Sequence, residues 1–128
     1  MNDATLRSYL DGWSMICNST PQSVEAMISG AHPEIQFSDV NSPNVHVGHD
    51  EIRAICKLAT DIYRGAAISY RDLLCDGRSW SIRWTLTGSH PDGTRFSCRG
   101  ASAGRVADDG RVIEHTDYWN RAALHEGP

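Results

Sequence analysis

Trp80-Ser81-Ile82-Arg83-Trp84-Thr85-Leu86-Thr87 alternates large apolar and polar residues without a break over eight positions, the period-2 pattern of a strand with one buried face. It is the clearest secondary-structure signal in the chain. The Asp76-Gly77 turn precedes it and His90-Pro91-Asp92-Gly93 follows, so it has a strand on each side, over 67–74 and 94–106. Asp108-Asp109-Gly110 is a third turn and leads into a last strand over 111–119. Short connections make neighbours antiparallel, and the second half of the chain reads as a four-stranded meander.

The last strand ends Glu114-His115-Thr116-Asp117-Tyr118-Trp119, which places His115, Asp117 and Trp119 on one face at period 2. The first half is mostly helical. Leu6, Leu10, Trp13 and Cys17, with Tyr9 and Ile16 beside them, form one helical stripe from about residue 4 to 17. Thr20 caps a second helix that has Pro21 at its first position and stops at Gly30. After a break at Ala31-His32-Pro33, a strand over 34–39 points Ile35, Phe37 and Asp39 to one face. A turn at 41–44, a short strand at 45–47 and a third helix over 50–63 complete the half. Three helices followed by a meander must bury one sheet face under the helices, an α+β arrangement with a curved antiparallel sheet.

With 128 residues the chain is a single domain over 1–128, with about 122–128 as a loose tail. A net charge of −4 without a run of like charges gives no footprint for nucleic acid. No stretch approaches the roughly 18 apolar residues of a membrane span, so no membrane is expected. Cys17, Cys56, Cys75 and Cys98 are scattered, without Cys-x-x-Cys pairs, and read as reduced thiols of a cytoplasmic protein. His46, His49 and Asp50 lie across the Gly48 break and fix no metal geometry, so neither metal nor cofactor is expected.

The element order, together with Phe37-Ser38-Asp39, Gly48-His49-Asp50-Glu51-Ile52-Arg53, Arg83-Trp84-Thr85-Leu86-Thr87-Gly88 and Gly110-Arg111-Val112-Ile113-Glu114-His115, resembles the nuclear transport factor 2-like superfamily. Within it the chain is most similar to the SnoaL-like polyketide cyclases, with ketosteroid isomerase and limonene epoxide hydrolase as relatives. The resemblance implies a cone-shaped, cystatin-like fold around an apolar cavity. It implies that Asp39 stands where the isomerase has its general base, that Asp117 stands where cyclases and hydrolases have an acid, and that Arg83 stands beside that acid. It also marks departures: the isomerase's oxyanion pair corresponds to Trp13 and Ser102, and the hydrolase's second acid to Thr85.

A carboxylate in an apolar cavity is suited to proton transfer, because desolvation disfavours its charged form. Asp117 fits that role, with Arg83 as its counter-charge and His115 donating to a substrate oxygen or relaying a proton. The competing explanation is a ladder of ion pairs on a solvated sheet face, and for Asp39 a turn aspartate beside Asn41. The reading adopted is a cofactor-independent cyclase or isomerase with Asp117, Asp39, His115 and Arg83 as catalytic residues. Trp13, Phe37, Thr85, Ser102 and Trp119 bind its hydrophobic, carbonyl-bearing substrate. The alternatives are limonene-type epoxide hydrolysis and a non-catalytic binding or assembly protein. If Arg83 faces the cavity, Trp80, Ile82, Trp84 and Leu86 line the convex face, which predicts a homodimer through the sheet.

Overall fold

The computed structural model describes residues 3–125. Helix α1 (Ala4–Ser14) is followed by a 3₁₀ turn (Ile16–Asn18) and α2 (Pro21–Gly30). Strands β1 (Ala31–Asp39) and β2 (Val45–Val47) come next, then α3 (His49–Tyr63). The meander is β3 (Ala67–Cys75), β4 (Ser79–Ser89), β5 (Arg95–Val106) and β6 (Val112–Trp119), closed by a 3₁₀ turn (Arg121–His125). The six strands form one sheet in the order β2-β1-β6-β5-β4-β3. No helix among the described residues is long and apolar enough to cross a membrane.

The expected elements are present, with three differences. The sheet is mixed, because β1 runs parallel to β6 while every other pair is antiparallel. The long excursion between β1 and the meander, which contains α3, is what permits a parallel partner. There is no break at Ala31-His32-Pro33, since α2 passes at Gly30 straight into β1. The β1–β6 register instead shifts between Ala31 and Gln36, a bulge that contains Pro33, which has no N–H for the ladder. Finally, the segment from 122 is not all tail. Leu124 is buried in the core and its carbonyl accepts from His90 Nε2 at 2.6 Å, while residues 126–128 lie outside the described region.

The Thr20 side chain accepts from the Ser23 N–H at 3.1 Å and the Ser23 hydroxyl accepts from the Thr20 N–H at 2.9 Å, which fixes the start of α2. Leu6, Tyr9, Leu10 and Trp13 of α1, Met27 of α2 and Ile52 and Cys56 of α3 bury their stripes against one face of the sheet. That face presents Trp80, Ile82, Trp84 and Leu86, each below 5% exposed. The Trp80–Leu86 stripe is therefore the floor of the chain's own core. The convex face carries Ser81, Arg83, Thr85 and Thr87 from the same strand, so the apolar patch behind the homodimer expectation is not on the surface.

All four cysteines are free thiols. Burial pushes Cys17 up to about 11 and raises Cys56 and Cys98 as well. Titration of the native protein with Ellman's reagent at pH 8 should modify Cys75 first and the other three only as the fold opens. Four equally fast thiols would contradict this packing.

Candidate active site

The concavity begins with a row of small side chains. On β5 the residues that face the helices are Cys98, Gly100, Ser102 and Gly104, and the neighbouring strands set larger groups on either side of them. Trp84, Gly100 and Trp119 are in register, as are Ile82, Ser102 and Asp117, and Trp80, Gly104 and His115. Each glycine lets two rings meet above the strand. Trp84 and Trp119 lie 6.0 Å apart at 61°, and Trp80 and His115 lie 5.2 Å apart at 86°. A Cβ on Gly100 would come within 2.4 Å of the Trp84 ring.

Asp117 sits in the middle row. Its Oδ1 accepts from the Ser102 hydroxyl and from His115 Nε2, both at 2.6 Å. Trp84 Nε1 donates to Ser102 Oγ at 3.0 Å, and the Tyr9 hydroxyl meets His115 Nδ1 at 2.5 Å. Tyr9, on α1, is fully buried, and desolvation, then the charge of Asp117, raises its hydroxyl well above the usual tyrosine value. The phenol therefore keeps its proton, and Nε2 of His115 faces Asp117 with its hydrogen. All donors in this chain of bonds point toward Asp117. Neither bond reaches Oδ2, which is left as the carboxylate oxygen available to the cavity that Asp117 lines.

That cavity has a volume of about 120 Å³. Trp13, Phe37, Trp84, Leu86 and Trp119 form its walls on the α1 and sheet side, and Ile55, Ala59 and Tyr63 of α3 close the other. Asp39 stands at its edge, paired in register with Asp117 across the parallel β1–β6 ladder. Its Oδ2 accepts from Trp119 Nε1 at 2.8 Å, and its Oδ1 accepts from the Asn41 N–H at 2.8 Å and Nδ2 at 3.0 Å. Asp39 is thus both a turn acceptor and a cavity residue, and both readings of it apply. Trp13 Nε1 donates to no acceptor among the described residues. Trp13 is buried among the core residues and lines the cavity.

Of the residues expected from sequence, Asp117, Asp39, Trp13, Phe37 and Trp119 converge on this cavity. His115 and Ser102 have no exposure at all and lie behind Asp117. Both ring nitrogens of His115 are occupied, so it cannot donate to a substrate oxygen and acts only through Asp117. Ser102 likewise supports Asp117 rather than lining the cavity. Arg83 and Thr85 do not belong to the site. Strand parity sends both to the convex face, where Arg83 is in register with Ala101 and lies 3.9 Å from Asp72 with 70% of its side chain exposed. The residue in register with Asp117 through Ser102 is Ile82. Alanine at Arg83 should change neither turnover nor stability measurably, since an exposed pair of this kind contributes about 1 kcal/mol or less. A clear loss of activity would contradict the strand parity.

His46 and His49 have separate partners, Glu51 Oε2 at 3.3 Å and the Ala31 carbonyl at 2.8 Å. Tyr9 was missed by the sequence reading, because a tyrosine inside a helical apolar stripe is indistinguishable from a core residue. Tyr9→Phe should leave Nδ1 of His115 buried without a partner and cost roughly 1–3 kcal/mol in urea unfolding. It should also alter the alkaline limb. A buried phenol raised in the folded state contributes stability that is complete below the ordinary tyrosine value of 10.0 and declines as pH rises through the folded value. The variant should lose that part of the decline, and an unchanged alkaline slope would contradict the raised Tyr9.

The family model for the SnoaL-like domain matches residues 6–115. Among curated proteins none matches the sequence. Solved structures do match. A nuclear transport factor 2-like protein of unknown function from Exiguobacterium sp. 255-15 is 20% identical, with 92% of this chain and 99% of that one covered at a TM-score of 0.74. TerC, co-crystallised with polyporic acid, is 16% identical over 95% of both chains, with a TM-score of 0.76. SalBIII, an epoxide hydrolase/cyclase-like enzyme with a role in pyran ring formation in the polyether salinomycin, is 13% identical, covering 93% and 92%, with a TM-score of 0.71. At these identities the likeness is one of fold. The match over 6–115, on three helices and a curved sheet around a cavity, settles the assignment: this chain belongs to the SnoaL-like domain family, and its fold is that of nuclear transport factor 2-like proteins.

Proposed function

We propose that the chain is a cofactor-independent enzyme that cyclises or isomerises a small, largely apolar carbonyl compound through an enolate, with Asp117 as its acid–base group. The observation that carries this reading is the division of labour within one carboxylate: Oδ1 is held by Ser102 and His115, and Oδ2 is left to an apolar cavity. A base fixed in orientation and surrounded by Trp13, Phe37 and Trp119 meets the geometric need of proton abstraction from carbon.

In this reading Oδ2 takes a proton from the carbon next to the carbonyl, the electron pair of that C–H bond forms the enolate C=C bond, and the C=O π pair moves onto the carbonyl oxygen. The Trp13 N–H, without a protein acceptor, is the donor for that oxygen. Isomerisation follows, for a β,γ-unsaturated carbonyl compound, when the protonated Asp117 returns its proton to the γ-carbon of the dienolate. Cyclisation follows when the enolate carbon attacks a second carbonyl and Asp117 protonates the resulting alkoxide. Tyr9 and His115 touch no substrate and hold the carboxylate. Asp39 orients Trp119 at the edge of the cavity and is the second carboxylate within reach of a ligand. A volume of about 120 Å³ suits a substrate near the size of a single ring, since ~150 Å³ holds benzene.

Epoxide opening by the same carboxylate is the second reading, favoured by the likeness to SalBIII. It would proceed without the arginine expected beside the acid, because Arg83 faces outward. The two are separated by incubating the protein with phenylacetone in deuterium oxide and following the α-proton signals by NMR. Protein-dependent loss of these signals above the buffer rate supports the enolate reading. Its absence, with hydrolysis of styrene oxide instead, transfers support to the second. Saturable binding of both with neither reaction leaves a ligand-binding protein.

A further inference from the structure

The walls of the cavity carry a charge preference of their own. Trp13, Trp84 and Trp119 form a continuous series of rings, with centroids 5.7 Å and 6.0 Å apart and planes turned by 64° and 61°. The rings pack edge to face, all three line the cavity, and aromatic ring faces are electron-rich. Asp39 sharpens this, because its Oδ2 accepts the Trp119 N–H at 2.8 Å and pushes electron density into that indole. Two carboxylates, Asp39 and Asp117, share the lining with the rings, and no lysine, arginine or histidine does. Arg121 holds its guanidinium over the Trp119 ring, 5.7 Å from the centroid, and lines a neighbouring groove rather than this cavity. His115 lies behind Asp117 and does not line the cavity.

A concave site lined by aromatic rings and two carboxylates, with no cationic side chain in its lining, is complementary to a positive ligand. The same arrangement offers little to the enolate of a neutral carbonyl compound, since Asp117 is neutral once it has taken the proton but Asp39 stays charged near the new oxyanion, with one indole N–H to offset it. A substrate that brings its own positive charge resolves both points. We infer that the cavity recognises a small alkylammonium group, tertiary or quaternary and no larger than choline, and that the substrate of the reaction proposed above is a small carbonyl compound carrying such a group. This rests on reading the cavity as the substrate site. Size agrees, because about 120 Å³ holds a trimethylammonium head with a short arm and excludes a long chain.

The test compares choline with its uncharged carbon isostere, 3,3-dimethylbutan-1-ol, by tryptophan fluorescence titration of the full chain, with benzoate as the anionic control. Choline should bind saturably and about tenfold or more tightly than the alcohol, the ratio expected for a desolvated cation–π contact, and benzoate should not compete. Trp119→Phe should keep most of the preference and Trp119→Leu should remove it. Trp119 is only partly buried, so both variants are expected to fold, and circular dichroism checks that they do. Equal or tighter binding of the alcohol, competition by benzoate, or no saturable binding of choline overturns the inference. Neither choline nor the alcohol has a carbonyl, so the result is independent of proton transfer. Ketone exchange without a choline preference fails the inference alone, and the reverse fails the enolate reading alone.

Discussion

Asp117→Asn should lower protein-catalysed α-proton exchange by roughly 10²–10⁴-fold, the contribution of a positioned acid–base group, while leaving the fold almost unchanged. The substitution is isosteric. An amide oxygen at the position of Oδ1 still accepts from Ser102 and His115, and the amide nitrogen takes the place of Oδ2 at the cavity. No buried donor loses its acceptor, so the melting temperature should move by a few degrees at most. Ligand binding should persist, weakened where the ligand is charged. The separation of turnover from stability is what identifies Asp117 as the reacting group. Exchange at the wild-type rate in a folded Asn variant would remove every reading that makes this carboxylate the base.

The largest effect on stability is expected at a residue with no side chain, in Gly104→Ala. A Cβ there would lie 1.7 Å from the Glu114 carbonyl oxygen and 3.0 Å from Trp80 Nε1. The first of these is backbone of the adjacent strand and cannot step aside as a side chain would. The β5–β6 ladder must shift where it supports His115 and Asp117, and Trp80 must leave its edge contact with the imidazole. We expect a loss of about 3 kcal/mol or more, seen as a fall in melting temperature on the order of 10 °C. Alanine at Gly110, where the ideal Cβ meets nothing within 4 Å, is the control for the general cost of replacing a turn glycine. A Gly104 variant no less stable than the Gly110 variant would contradict the close approach of the two strands.

The architecture was legible because its signals are local. Alternation from Trp80 to Thr87, the Thr20-Pro21 cap and the Gly-containing turns each depend on a few neighbouring residues, and each marks the element found. The triplet His115, Asp117, Trp119 was also legible as one face, because period 2 follows from strand geometry. Which face was inside was not legible for β4 from its alternation alone. The choice between Arg83 and Trp84 as the inward residue depends on cross-strand register, and an offset of one position reverses a whole strand. The apolar rule decides it correctly: four large apolar side chains have far more to gain from burial than Arg83 and Thr85. Tyr9 and the small residues of β5 lay beyond local reading. Gly100 and Gly104 look like weak strand residues until Trp84, Trp119, Trp80 and His115 are seen meeting above them.

The partner of Asp117 was hidden for a related reason. A carboxylate at the centre of a sheet face suggests a cation beside it, and the resemblance implies Arg83 in that place. The structure satisfies it with hydrogen-bond donors instead, Ser102 from β5 and His115 from its own strand, the latter held by a phenol from α1. Both donors meet Oδ1, which fixes the carboxylate while leaving Oδ2 without a protein donor.

The most direct test of the account is a crystal structure of the protein with phenylacetone bound. The account predicts the ring among Trp13, Phe37 and Trp119, the α-carbon within about 3.5 Å of Asp117 Oδ2, and the carbonyl oxygen within hydrogen-bond reach of Trp13 Nε1. A ketone seated outside this cavity, or inside it with its α-carbon turned away from Asp117, would contradict it.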